Sequence, residues 1–254
     1  MMRACEDTVV FRTRERGVAA WALRSVLVVG VLLLQACATV ANPDRRDPYE
    51  SFNRSVFDFN DKVDRYALEP VAKGYQAVTP DFFRRGVGNF FGNLDDVWSV
   101  FNNAIQGRKE ATSDSIGRVM INTTLGFGGL LDLASEFNIE RHPSNFALTL
   151  GRWGVGTGPY LVLPLLGPAT VRDLAAYPID FQGNLVTQIP DDPTRTSLSI
   201  LGVVDTRAQY LRAGQVVSGA ALDKYSFFRD AYLQRLRNRI YDGNPPEEEE
   251  EAAP

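Results

Sequence analysis

The sequence predicts a mainly α-helical domain, and three observations carry that expectation. Apolar residues recur at spacings of three and four in several long stretches, the mark of one apolar stripe on a helix. Alternating strands joined by hairpin turns are missing, as is any strand–helix–strand alternation. The 254 residues include 21 glycines, many of them in breaks between the periodic stretches.

The first element is an export segment. Arg12, Arg14, Arg16 and Arg24 precede the apolar run Ser25 to Leu34, and Leu34-Gln35-Ala36-Cys37 follows. A basic region, a short apolar region and a small residue before a cut are the parts of a secretory signal peptide. With cysteine after Ala36 the pattern resembles a bacterial lipobox, in which Cys37 is lipidated and becomes the new N-terminus. An uncleaved anchor over 17–40 approaches the roughly 20 residues of a spanning helix, but Arg24 and Gln35 interrupt it. A merely buried cysteine is the other alternative. Residues 1–36 therefore read as signal peptide and 37–46 as a lipidated tether, held stably by two or more acyl chains. Ala38 stands where similar lipoproteins retained at the inner membrane carry aspartate, which points to the outer membrane.

Loss of residues 1–36 removes five arginines and three carboxylates, leaving 22 basic and 28 acidic side chains and a net charge near −6. That balance excludes the basic footprint of a nucleic-acid binder. Cys5 departs with the signal and Cys37 is acylated, so no thiol remains for a disulfide, a zinc site or a nucleophile. A domain of this size builds its core without disulfides.

The helical domain spans 47–243. Asp47-Pro48-Tyr49-Glu50 reads as a helix start, with Asp47 as cap, Pro48 in the first turn and Glu50 completing a capping box. Tyr49, Phe52, Val56, Phe59, Val63 and Tyr66 form its stripe, and Pro70 ends it. Between Pro80 and Gly107 the pattern predicts a helical pair. Phe82, Phe83, Phe90 and Phe91 flank a glycine-containing stretch, and Asn93, Asp95 and Asp96 open the second helix, as acidic residues favour a first turn. Residues 109–124 read as another helix, Gly126 to Gly129 as a break, and Leu130 to Glu136 as a short helix. Thr170 to Asp173 starts a helix that reaches Tyr177, before Pro178, by the same capping logic. Pro190 to Pro193 is a loop, and a loosely patterned helix runs from Thr194 to Leu211. Asp223 to Tyr241 carries Tyr225, Phe228, Tyr232, Leu236 and Ile240 on one face, with Asp242-Gly243 as C-cap. The acidic tail 244–254 cannot bury a core and is expected to be disordered.

Catalytic signatures are lacking. The one histidine, His142, is followed by Pro143-Ser144, which has no triad logic by itself, and no G-x-S-x-G elbow exists. A loop or capping role suits His142 better. Asp95-Asp96 and Asp191-Asp192 read as caps, and Glu247 to Glu251 as a solvated tail, since metal sites need clustered ligands. The expectation is a protein that is no enzyme, with no catalytic residue, no metal and no cofactor.

The block from Gly151 to Asp173, GRWGVGTGPYLVLPLLGPATVRD, asks for its own account. Gly154, Gly156 and Gly158 lack the G-x-G-x-x-G spacing, a preceding strand and any Gly-Lys-Ser/Thr, so a phosphate loop is disfavoured. Tyr160, Leu161, Val162, Leu163, Pro164, Leu165 and Leu166 are wholly apolar yet far too short to span a bilayer as a helix. A buried core segment and backbone held inside protein at membrane depth fit this composition equally. Likewise Phe82, Phe83, Phe90 and Phe91 suit either a membrane interface plane or an ordinary helical core.

Several blocks together carry a family resemblance. Asp47 to Arg54 (DPYESFNR), Leu125 to Asp132 (LGFGGLLD), Gly151 to Asp173, Thr206 to Gln209 and Arg229 to Arg235 (RDAYLQR) follow in order. They resemble the MlaA/VacJ outer-membrane lipoproteins from about Asp47 to Tyr241. Departures are the long basic region, the short acidic tail and the loop from Ile179 to Pro193. The resemblance implies a ring-shaped bundle of amphipathic helices with a short apolar hairpin, seated in the outer membrane's inner leaflet. Similar proteins form an amphipathic channel, associate with a trimeric outer-membrane porin and remove mislocalised phospholipid from the outer leaflet. They pass it to a soluble periplasmic phospholipid carrier (MlaC-like), which maintains lipid asymmetry without covalent chemistry. On that footing Gly154, Gly156, Gly158 and Tyr160 to Leu166 are expected to form a loop or hairpin beside the channel, the glycines permitting backbone turns. Arg235 and Arg237 are expected to meet the carrier. A porin-associated scaffold lipoprotein that conducts no lipid is the rival reading, and an outer-membrane lipase a distant third.

Overall fold

The computed structural model describes residues 44–220 and 222–246, so Cys37, the export segment and the acidic tail from residue 247 lie outside the described residues. Helix α1 (Glu50–Val63) follows the DPYE start, but Asp47 does not cap it: the cap position is Tyr49, without a side-chain hydrogen bond. Asp47 is instead fully buried and serves tertiary contacts. Pro70 does not end the helix either. The chain widens into a π-helical turn, Asp64–Leu68, and continues as α2 (Glu69–Val78), with Pro70 in its first turn. There a missing N–H is tolerated, and the wide turn relieves the clash of the ring with the preceding carbonyl.

Asp81–Ile105 is one 25-residue helix, α3, rather than a pair. Asn93 and Asp96, read as a second start, are buried on its inner face. It folds back as α4 (Lys109–Thr124). After the glycine turn, Asp132 caps the short α5 (Leu133–Glu136) and Asn145 caps α6 (Phe146–Arg152), each accepting from a backbone N–H in the first turn.

Two strands then form an antiparallel hairpin, β1 (Tyr160–Leu163) and β2 (Gly167–Thr170), with Leu163 opposite Gly167. Four apolar residues without alternation carry no period-2 signal, which is why the pattern alone gave no strand. Thr170 and Asp173 make a complete capping box on α7 (Val171–Gly183). Pro178 lies inside α7 instead of after it. A 3-10 turn (Leu185–Gln188) leads to α8 (Asp192–Gln209), capped by Asp191 as expected. Helix α9 (Leu211–Ala220), absent from the sequence reading, precedes α10 (Lys224–Ile240), which Asp223 caps. Gly243 closes α10 at positive φ, its N–H donating to Asn238 O. No described helix is long and apolar enough to cross a membrane.

The packing is inverted in the α3–α4 hairpin. The buried side chains of α3 are Asn93, Asp96, Ser99, Asn102 and Asn103, and those of α4 are Ala111, Ser115, Arg118 and Asn122. Val97, Phe101, Ile116, Met120 and Leu125 point outward. Asn103 donates to Ser115 Oγ at 3.2 Å and Asn93 to Thr123 Oγ1 at 2.9 Å across the seam. Such a helix pair is held by hydrogen bonds and ion pairs more than by apolar burial. Apolar cores exist elsewhere but are small: Val56, Tyr160, Val162 and Tyr225 form one, Ala72, Ala208 and Leu211 another.

Candidate functional site

The hairpin is docked onto α1 by two asparagines seven residues apart, hence on one helix face. Asn53 Nδ2 donates to Tyr160 O at 3.0 Å, and Asn53 Oδ1 accepts from Val162 N at 2.8 Å. Asn60 repeats the pattern with Leu163 O at 2.9 Å and Leu165 N at 2.8 Å. Each amide thus presents the donor and acceptor that a neighbouring strand would present. Behind Asn53 lies Asp47, which accepts from Asn53 Nδ2 at 2.7 Å and from the Tyr225 hydroxyl at 2.5 Å, with Arg229 Nη1 at 3.5 Å. Burial, then the hydrogen bond to Asp47, pushes the Tyr225 hydroxyl well above its ordinary pKa.

At the same open end of the hairpin, where Thr170 lies opposite Tyr160, Asp173 Oδ2 accepts from the Tyr232 hydroxyl at 2.6 Å and from Thr170 N at 2.7 Å. The DPYESFN, glycine-rich and RDAY blocks therefore meet in one place. Sequence reasoning assigned no docking role to Asn53 or Asn60. The available signal was their seven-residue spacing on a helix otherwise striped with aromatics.

Beside the hairpin, which contributes Val162, Gly167 and Pro168, the helices α1, α9 and α10 border a half-open cavity of about 810 Å³. Phe57, Val162, Pro168, Leu211, Val217 and Phe228 supply its apolar wall, while Asp61, Asp64, Arg65, Glu69, Arg207 and Lys224 are its charged members. Arg207, from the TRAQ block, pairs bidentately with Asp64 at 2.6 and 2.7 Å. Lys224 pairs with Asp61, which also accepts from Arg65 at 2.7 Å. The cavity thus offers a large apolar surface beside a charged edge, the combination an amphiphile requires. Volumes of roughly 300–1,000 Å³ are usual for ligand sites.

The structure divides the sequence-derived candidates. Val162 lines the cavity and Tyr160 fills the core, whereas Leu161 and Leu163 are half-buried. Pro164, Leu165 and Leu166 form an exposed apolar tip, with Leu165 at φ 64°. Gly154 and Gly158 adopt positive φ, whereas Gly156 does not, so the freedom particular to glycine is used at two of the three positions. Phe82 and Phe83 are exposed with rings 4.2 Å apart, while Phe90 and Phe91 are half-buried. Phe91 packs over Gly202 of α8, where an added Cβ would lie 3.3 Å from its ring. Arg235 is exposed; Arg237 is half-buried and donates to Pro246 O. Arg235, Arg239 and Arg108 border a second cavity of about 550 Å³ with His142. His142 sits in a loop, its Nε2 2.9 Å from Asp114 Oδ2. Asp95 and Asp96 are no caps: Asp96 is buried and pairs with Arg141 at 2.7 Å and Arg118 at 3.3 Å.

Comparisons with known proteins agree with this arrangement. The family model described as MlaA lipoprotein matches residues 45–239. The intermembrane phospholipid transport system lipoprotein MlaA of Escherichia coli (strain K12) is 35% identical over 217 residues, covering 83% of this chain and 86% of that protein. Its namesake in Haemophilus influenzae is 34% identical over 237 residues, covering 88% and 92%. An uncharacterized protein of Rickettsia bellii is 37% identical over 190 residues, 74% of each chain. A structure solved for the structural basis for maintenance of bacterial outer membrane lipid asymmetry superposes with a TM-score of 0.68 at 34% identity. It covers 79% of this chain and all of that one. With a family model spanning nearly the whole described helical domain and relatives covering most of both chains, this chain belongs to the MlaA lipoprotein family.

Proposed function

We propose that this chain is an outer-membrane lipoprotein that takes mislocalised phospholipid from the outer leaflet through the α1–α9–α10 cavity and maintains lipid asymmetry. The observation that carries the reading is that cavity, with its apolar wall from Phe57 to Phe228 and its charged edge. A lipid needs both surfaces at once, and a conduit that supplies them lowers the transfer barrier without chemistry. The names of the E. coli and H. influenzae relatives, both intermembrane phospholipid transport lipoproteins, support it. So does the inverted α3–α4 hairpin: in lipid, helices associate through polar and small residues while apolar side chains face outward.

In this reading residues 1–36 are removed, Cys37 carries the acyl chains, residues 37–46 tether the domain 47–243, and the helices form a ring in the inner leaflet. The exposed tip Leu165-Leu166 and the Phe82–Phe83 pair meet lipid or a trimeric porin. The basic edge around Arg235 faces the periplasm and receives the soluble carrier. The test is a photo-crosslinking residue at Val217 or Phe228 in cells. Labelling by phospholipid supports conduction; capture of porin with no lipid label at either position supports a scaffold instead. Cys37→Ala, in parallel, should abolish incorporation of radiolabelled lipid.

A further inference from the structure

The charged edge of the cavity is arranged in two groups along the same stretch of α1 and the π-helical turn. Asp61 is shared by two cations, Arg65 at 2.7 Å and Lys224, so this group carries an excess of one positive charge. Lys224 has three N–H donors and Arg65 five, more than one carboxylate satisfies. Asp64, three residues further on, and Glu69, five beyond that, face the single guanidinium of Arg207. Asp64 takes that guanidinium bidentately. Glu69 Oε2 is left 3.7 Å from Arg207 Nη2, beyond hydrogen-bond distance, while its other oxygen pairs with Lys73 at 2.6 Å outside the cavity lining. With Lys73 counted this second group is balanced in charge, and among the described lining carboxylates Glu69 Oε2 is the oxygen left without a hydrogen bond.

From the surplus cation at Asp61 and the open acceptor at Glu69 Oε2 we infer that the cavity edge selects a zwitterionic headgroup with a primary ammonium, the phosphoethanolamine class, over an anionic glycerol-type headgroup. This rests on the cavity taking lipid. The phosphate lies against Lys224 and Arg65, and the ammonium donates to Glu69 Oε2. An anionic headgroup gains the first contact but leaves the carboxylate group unanswered. A quaternary choline lacks the N–H donors that Glu69 accepts.

The experiment uses the full acylated protein in detergent and a lipid with a photoreactive acyl chain. Dihexanoyl phosphatidylethanolamine, phosphatidylcholine and phosphatidylglycerol compete below their micelle concentrations. The ethanolamine lipid is expected to compete about tenfold better than the glycerol lipid, the effect of one charge-assisted hydrogen bond. Glu69→Gln should erase that preference by weakening the ethanolamine lipid alone, and Lys224→Gln should weaken both. Thermal melts confirm that both variants fold. Equal competition by ethanolamine and glycerol lipids, or a Glu69→Gln variant that weakens both alike, overturns the headgroup assignment while labelling of α1, α9 and α10 keeps the cavity reading intact. Labelling elsewhere overturns both. Tail-less glycerophosphoethanolamine should fail to compete; success equal to the lipid's would assign the edge to a soluble headgroup and overturn the proposal.

Discussion

Asn53 holds Val162 as a neighbouring strand would, accepting its N–H at 2.8 Å while donating to the carbonyl of Tyr160 at 3.0 Å. A helix side chain thereby completes the edge of a two-stranded sheet that has no third strand. The same residue donates to the buried Asp47 at 2.7 Å, so one amide joins the start of the domain, the hairpin and, through Tyr225, the last helix.

Replacing Asn53 by alanine leaves a buried N–H, a carbonyl and a carboxylate short of partners. The expected loss is about 2–4 kcal/mol, since an orphaned buried polar group costs its full desolvation. Asn60→Ala, at the half-buried end of the hairpin, loses two partly exposed hydrogen bonds whose freed groups water can reach, and should cost less, about 1–2 kcal/mol. Thermal denaturation of the two variants decides: equal losses would contradict the clamp.

The glycines of the hairpin approach separate in the same way. Gly158 has φ 67°, and a Cβ there would sit 3.0 Å from Val171 Cβ. A β-branched residue is strained both by the left-handed backbone and by that contact, so Gly158→Val should cost about 1–3 kcal/mol. Gly156 lies outside the left-handed region with nothing within 4 Å of an added Cβ, and Gly156→Ala should leave stability unchanged. The check is the melting temperature of each; an intact Gly158→Val protein would remove the steric argument.

The elements that obey rules for a water-facing surface were legible. Helix α10 has a capping aspartate, an aromatic stripe and a closing glycine, and it forms at Lys224–Ile240. The Thr170–Asp173 box was likewise readable. Helix α3 reads as two in the sequence because Asn93, Asp95 and Asp96 look like a start when polar means exposed. In this chain Asn93, Asp96, Ser99 and Asn103 recur at spacings of three and four on the buried face. That is a helical period carried by polar residues, so the periodicity was present with its sign reversed. The cavity was not legible, because Asp61, Arg207 and Lys224 meet only through tertiary packing.

Acid should probe the polar seam. Burial raises the Asp132 pKa, but hydrogen bonds from Ser135, Asn122 and Arg118 outweigh it and hold the carboxyl at about 2, below its ordinary 3.8. A carboxyl lowered in the folded state contributes stability that is complete above the unfolded pKa and lost as pH falls through the folded one. The contribution therefore disappears between about pH 4 and pH 2. Asp44, held at about 2 chiefly by its hydrogen bond from Arg46, adds to the same window. Asp132→Asn should lower the melting temperature at pH 7 and flatten its fall between pH 4 and 2. Arg118, 3% exposed, bridges Asp96 and Asp132. Arg118→Leu leaves Asp96 to Arg141 alone and Asp132 to Asn122 and Ser135, and should cost about 1.5–3 kcal/mol for the charge-assisted hydrogen bonds lost.

The phenylalanines of α3 provide a contrast between lipid contact and packing. Phe82 and Phe83 are 60% and 57% exposed and pack against each other, their rings tilted by 32°, near the start of α3. Two aromatic rings presented to the outside cost nothing to fold if removed, yet they contribute apolar area wherever that surface is covered. Exchanging both for serine should leave the stability in detergent, followed by thermal melts, within about 0.5 kcal/mol of wild type, as for surface substitutions generally. Liposome flotation should drop, because each buried ring contributes about 1.5–3 kcal/mol. Phe91, packed against Gly202 of α8, should behave oppositely: Phe91→Ser destabilises the fold, with any loss of flotation following from unfolding. Measuring flotation and melting on the same preparations separates the two roles. Unchanged flotation of the Phe82/Phe83 double variant would withdraw that pair from the membrane-facing surface.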